Sequence, residues 1–220
     1  MTNFTFPLSL ADFLDQLPIA SMSFDNPEQF EVSGTAGGEI IAAETGPQLW
    51  TGEIRLGKMK GAEADKARAL IDLVRPVGRS FMVCRISRGY PNSDPTGTLL
   101  GGYSPVIDSL NADNYRLGIS GLPAGYVLTR GDMLGFEYGS SPTRFALHRV
   151  VTGIKTANGS GVIDLLEVTP HIRPGAQVSA PITLYRPACK VILVPGTSNA
   201  GLTRRTITDG VSFKFIQTLR

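Results

Sequence analysis

Residues 128–173 read LTRGDMLGFEYGSSPTRFALHRVVTGIKTANGSGVIDLLEVTPHIR, and their punctuation decides the fold class. Three short apolar-rich runs, Met133–Tyr138, Phe145–Val151 and Gly161–Val168, are separated by turn residues. The separators are Gly139-Ser140-Ser141-Pro142 and Asn158-Gly159-Ser160-Gly161. Strand-length runs parted by Gly, Pro, Asn and Ser fold as antiparallel hairpins, because those residues supply the backbone angles a reversal needs. A Gly131-Asp132 turn enters the block, and Thr169-Pro170 and Arg173-Pro174 close it.

Outward from this block the same pattern continues. Toward the N-terminus, Gln29–Ser33 alternates with period two and Glu39–Ala43 reads as a further strand, with Gly34-Thr35-Ala36-Gly37-Gly38 between them. That glycine run lacks the Gly-Lys-Ser/Thr ending of a phosphate loop, so a turn is the better reading. In Trp50–Leu56, Trp50, Gly52, Ile54 and Leu56 share one face while Thr51, Glu53 and Arg55 share the other, the mark of a half-buried strand. Thr5–Leu8 and Ser9–Leu14 have the form of an arm or a short first helix with Ser9 as its cap, ended by Pro18.

One longer helix is expected over 61–75. Ala64, Ala67, Ile71 and Val74 recur on a single face with Leu70 beside them, and Glu63, Asp65, Lys66, Arg68 and Asp72 point outward. Acids lead, bases trail, and Pro76 and Gly78 stop it. A single helix among strands packs across one open face of a sandwich. Further strands follow at Phe81–Ile86, Val106–Leu110, Tyr115–Ile119, Pro181–Tyr185, Lys190–Val194 and Val211–Ile216. The compositional breaks at 89–102 and 174–180 mark domain crossings at about residues 93 and 178. Two consecutive domains would fit the same breaks.

The 220 residues, 42% hydrophobic and 18% charged, describe a folded protein and exclude wholesale disorder. The 25 glycines and 15 prolines suit many short strands joined by many turns. No apolar run reaches membrane-spanning length, and Met1-Thr2-Asn3-Phe4 begins no recognisable secretory leader, so synthesis in a cytoplasm is expected. Charge is unevenly placed. Asp12, Asp15, Asp25, Glu28, Glu31, Glu39, Glu44 and Glu53 give residues 1–54 a formal −8 with no Lys or Arg, leaving +10 for the remainder against a total of +2. Such asymmetry orients subunits in a ring or gives a pore a negative wall, unless the halves interleave in space and the charges mix.

Catalytic patterns are missing. Cys84 and Cys189 lie in apolar runs and read as buried thiols, with no CxxC and no nearby histidine. His148 and His171 have no nucleophile motif beside them, and hydrogen bonding is their default role. Glu137 and Asp164 sit on expected strands that could face each other, and Asp132 reads as a turn former. The loop Pro195–Gly201, followed by Arg204-Arg205, suits either a solvated loop or contact with an acidic neighbouring subunit. No metal set, cofactor motif or enzyme signature is expected.

The block and its exits resemble the second half of distal tail proteins from long-tailed bacteriophages and gene-transfer particles. The residues that carry the likeness are Leu128-Thr129-Arg130-Gly131-Asp132, Arg149-Val150, Gly161–Leu166 and Val168-Thr169-Pro170-His171-Ile172-Arg173. The likeness covers the second half of the chain, and the first half in the order of its elements. It implies a mainly β fold: a tail-tube-like β-sandwich over 1–93 with one flanking helix, completed by the C-terminal strands of 178–220, plus an inserted OB-like β-barrel over 94–177, a layout that the two breaks fit. It also implies a virion protein without enzymatic activity. In that family a homohexameric ring caps the tail tube, docks the baseplate hub or tail-tip proteins, and leaves a channel for DNA in transit.

On that reading Asp25, Glu28, Glu31, Glu39 and Glu44 line the channel, and Arg204 and Arg205 contact a neighbouring subunit. Two alternatives stand beside it. One is another tail-tube or hub component. The other is a carbohydrate-binding tail module using Tyr103, Tyr115, Tyr126 or Tyr138 as stacking platforms.

Overall fold

The computed structural model describes residues 4–220; Met1–Asn3, on which the reading of the chain's start partly rests, lie outside them. The chain is mainly β with one α-helix and a nearly closed small barrel. Along the chain the strands are β1 (Ile19–Met22), β2 (Phe30–Gly34), β3 (Ile40–Glu44), β4 (Thr51–Leu56) and β5 (Met59–Lys60). The helix α1 (Gly61–Val74) follows, then β6 (Phe81–Cys84), β7 (Val106–Leu110), β8 (Arg116–Ser120), β9 (Val127–Thr129) and β10 (Met133–Tyr138). The remaining strands are β11 (Arg144–Val150), β12 (Ile154–Thr156), β13 (Ile163–Thr169), β14 (Ile182–Thr183), β15 (Ala188–Leu193), β16 (Asn199–Thr203) and β17 (Ile207–Gln217). No helix among the described residues is long and apolar enough to cross a membrane.

Two compact units share the chain. One holds the described residues up to Asp15 together with Ser80–Lys190 and Leu219–Arg220, and the other holds Gln16–Arg79 and Val191–Thr218. The chain passes between them at 15/16, at 79/80, inside β15 and at 218/219. The composition breaks at 89–102 and 174–180 both lie within the first unit.

In the first unit the strand order is β14-β10-β11-β13-β8-β7. An isolated antiparallel bridge, Val106↔Pro181, brings the β14 segment against β7. Around it the Ile107 N–H donates to the Ala180 carbonyl at 3.0 Å, and the Ser179 N–H donates to the Ile107 carbonyl at 2.7 Å. These bonds bring the sheet round until its two ends meet. Alternation fills the interior: Leu134, Phe136 and Tyr138 of β10 point inward, while Gly135 and Glu137 take the other face.

On β13 the alternation is interrupted by a bulge. The register with β8 shifts between Ile163 and Leu166, and Leu165, at φ 50°, is turned out to half exposure. The extra residue lets Ile163 and Leu166 both face the core although they are three apart.

The second unit is built on the long strand β17, in the order β1-β4-β17-β15, with β16 and β5 also pairing β17. Trp50, just ahead of β4, and Ile54 and Leu56 along it meet Val211, Phe213 and Phe215 along β17, and all six are buried. Phe24 stacks on Trp50 with ring centroids 5.0 Å apart. Gly52 leaves room for this cluster: a Cβ there would collide with the Ser23 carbonyl and come within 2.5 Å of the Phe215 ring. Gln217 ties the two strands at their end, its N–H donating to the Trp50 carbonyl at 2.7 Å and its Oε1 accepting the Trp50 N–H at 3.2 Å.

The helix α1 packs against β5 and β17. Ala64, Ala67, Ile71 and Val74 are its buried face, as the spacing of apolar residues dictates. Burying Ile71 and Val74 contributes roughly 2 kcal/mol each by transfer from water. The stretch expected as an arm or a short first helix is mostly turn. The Ser9 hydroxyl accepts the Asp12 N–H at 3.1 Å, and only a 3₁₀ turn, Leu14–Gln16, follows before Pro18.

Candidate functional site

The clearest candidate is the β2–β3 hairpin of the second unit. Among the described residues its strands pair only with each other, in the register Phe30↔Glu44, Val32↔Ala42 and Gly34↔Ile40. All ten strand residues are exposed. The glycine run 34–38 makes the reversal, with Gly38 at φ 83° and the Thr35 N–H donating to the Glu39 carbonyl at 2.9 Å. The turn reading thus replaces any phosphate cradle.

Opposed residues in an antiparallel pair share a face, so the register sorts the side chains. One face carries Phe30, Val32, Ile40 and Ala42, with Glu44 at its base. The other carries Glu31, Ser33, Ile41 and Ala43, and Glu39 continues it by alternation. Phe30 is 50% exposed, Val32 56% and Ile40 75%, an apolar stripe turned to solvent.

Of the five acids expected to act together, the structure places Glu31, Glu39 and Glu44 on the hairpin, with Glu28 two residues before it. Asp25 stands apart. Its backbone pairs with Thr51 at the start of β4, at 2.8 and 2.9 Å, and its carboxylate accepts the Asn26 N–H at 2.8 Å.

Arg204 and Arg205 lie in the turn between β16 and β17. Both are exposed. The Arg204 N–H donates to the Ile207 carbonyl at 2.8 Å to close that turn. The expected loop Pro195–Gly201 is loop only to Ser198; Asn199 begins β16, which pairs β17 from Asn199↔Ser212 to Thr203↔Thr208.

Sequence reading missed what guards that strand. Arg68 of α1 donates to the Ala200 carbonyl from Nε at 3.3 Å and from Nη2 at 3.1 Å, and Nη2 also reaches the Thr203 hydroxyl at 2.8 Å. Nearby, Arg75 donates to the Ser198 hydroxyl at 3.0 Å and pairs with Asp72 at 2.9 Å. The spacing put Arg68 on the outward helical face but could not show that another strand lies there.

In the first unit the polar residues are structural staples. Asp132, 1% exposed, accepts the Asn92 N–H at 2.8 Å through Oδ1, and the Thr129 N–H at 2.7 Å and hydroxyl at 3.0 Å through Oδ2. Asp94, 2% exposed, accepts the Leu99 and Leu100 N–H groups. Burial pushes the Tyr126 phenol up, and the carboxylates of Asp94 and Asp132 push it further. The stretch 89–102 is therefore pinned rather than slack.

His148 donates from Nδ1 to the Pro170 carbonyl at 2.8 Å, which fixes the proton on Nδ1 because a carbonyl only accepts. Its ring stacks on Phe136 at 5.3 Å, and Nε2 faces no polar partner. Burial pulls its pKa down to about 4. Glu137 and Asp164 do not face each other, because β11 lies between their strands. Burial raises both the Cys84 and the Cys189 thiols. Of the four tyrosines considered as sugar platforms, Tyr126 and Tyr138 are buried in the barrel core, while Tyr103 and Tyr115 are exposed.

The barrel unit has an open cavity of about 350 Å³ lined by Gly135, Phe136, Glu137, Phe145, Thr183 and Arg186 among others. Glu137 is the one carboxylate in that lining, and Arg186 is held by a bidentate ion pair to Asp15. No group of three or more His, Cys, Asp or Glu suited to a metal occurs among the described residues. The chain matches no protein-family model and no curated protein.

Proposed function

We propose that this chain is a structural assembly protein: the subunit of a homohexameric ring at the distal end of a phage-type tail tube. The ring joins the tube to the baseplate hub or tail-tip proteins and leaves a central channel through which DNA passes. The reading makes the protein part of a virion, assembled after synthesis in a host cytoplasm, without enzymatic activity or cofactor.

The observation that carries it is the β2–β3 hairpin. A two-stranded ribbon that covers nothing is marginal in water, and a surface stripe of Phe30, Val32 and Ile40 is costly to leave wet. A subunit that completes its packing only beside another protein accounts for both. The charge layout supports the same reading. The acids around the hairpin form a segment without a single base through residue 54, and the rest of the chain carries the compensating +10, including the exposed Arg204-Arg205 turn. A closed ring needs two unlike contact surfaces on each subunit, and opposite charge orients their encounter.

Negative-stain images of the purified full chain, with its native mass, test the proposal. Rings with a central hole are expected. A single subunit that persists at high concentration overturns it.

A further inference from the structure

Resting on the ring reading, we infer that the two faces of the β2–β3 hairpin have separate destinations. The stripe Phe30, Val32, Ile40 and Ala42 is covered by a second copy of this chain, and the Glu31–Ser33–Glu39 face is left to solvent. The pairing register forces the split. Phe30, Val32, Ile40 and Ala42 lie on one side of the ribbon, and Glu31, Ser33, Ala43 and Ile41 on the other. Nothing that buries one side can bury the other unless the ribbon is enclosed on both, and enclosing the second would desolvate Glu31 and Glu39 together. An isolated buried carboxylate is far more costly than an exposed one. Ile41, 59% exposed, is the single large apolar residue on the acid side.

The occupant is a second copy for two reasons. Each strand of the ribbon offers one unpaired edge to which an identical chain presents matching N–H and C=O groups, and a copy anchored at that edge brings the rest of its own surface over the apolar stripe. The acids at the base of the apolar face, Glu44 and nearby Glu28, need basic neighbours. No Lys or Arg precedes Arg55, whereas the remainder of each chain is formally +10. The inference also divides the five acids expected to act together: Glu31 and Glu39 face open solvent, Glu44 sits at the contact, and Asp25 is held to β4.

The test uses thiol labelling. Both native cysteines are at most 1% exposed, so a polar maleimide reports introduced thiols alone. Val32→Cys and Ala42→Cys place a thiol on the apolar face, and Ser33→Cys places one on the acid face. Each is exposed in the lone chain, so folding is preserved. Labelling of each full-length variant is compared between assembled material and subunits dissociated by dilution. At both apolar positions, labelling at least about tenfold slower in the assembly is expected, with Ser33→Cys unchanged. A ring in which Ser33→Cys is protected and Val32→Cys is open overturns the face assignment while leaving the ring intact. Equal protection of both faces also overturns it. A chain that never assembles removes the ring reading and this inference with it.

Discussion

The Arg68 guanidinium on α1 is hydrogen-bonded to the Ala200 carbonyl on β16, a strand whose other neighbour is β17. Ala200 lies on the outermost strand of its sheet, where bare backbone groups invite pairing with another chain. Arg68 occupies the acceptor and takes the Thr203 hydroxyl as well, so this edge is closed by a cation. Among the described residues the β2–β3 ribbon has no such guard.

Arg68→Met should therefore open the β16 edge while keeping the stem that packs on the helix surface. The lost bonds cost about 1 kcal/mol. Light scattering across a concentration series should show association beyond the native assembly. A variant that scatters like the parent shows that Arg68 merely decorates the surface.

His148 makes the barrel acid-sensitive. Its folded pKa, near 4, lies below the ordinary 6.5, so the unfolded chain binds the proton first as pH falls. No penalty exists above about pH 6.5. Stability is lost progressively from there down to about 4, by up to roughly 3 kcal/mol. Arg173 and His171 add to the effect by disfavouring a second cation nearby. Urea midpoints at pH 7 and 4.5 should differ less in His148→Leu than in the parent; the same difference in both proteins would remove the claim.

Asp132→Ala should cost about 3 kcal/mol, because the buried carboxylate leaves behind the Asn92 and Thr129 N–H groups with no acceptor. Asp132→Asn, which keeps one acceptor oxygen, should cost less. Chemical denaturation followed by barrel tyrosine fluorescence orders the three proteins; an alanine variant as stable as the asparagine one would contradict the staple.

Replacing Glu31 and Glu39 together by Lys should slow DNA ejection from particles carrying the variant, because a basic wall holds phosphates that an acidic one repels. Raised salt should restore part of the rate. Ejection kinetics that match the parent would sink the channel role of these acids.

Much of this architecture could be read from residues alone. The helix over 61–75 and the alternation of Trp50–Leu56 were legible because each buries one face, and a buried face stamps its period on the sequence. The hairpin's existence was legible too. Its exposure was not, since Phe30, Val32 and Ile40 look like core when only local pattern is available.

Strands β9 and β12 were invisible for the opposite reason. Three residues each, they carry too little pattern to rise above the loops around them. Asp132 was read as a turn former, and it does close a turn, through the Thr129 N–H. Its grip on Asn92 spans 40 residues and depends on tertiary proximity that no local spacing encodes.

The seam between Val106 and Pro181 has a practical consequence for anyone who would excise the barrel. A piece running from 94 to 177 keeps most of the hoop but discards its last stave, Ile182–Thr183, along with Leu184 and Tyr90 from the interior packing. The severed sheet would be left with raw margins at β7 and β10 and would clump through them, so any ligand it captured would report the wound. A cut that respects the hoop begins near Ser80 and ends near Lys190.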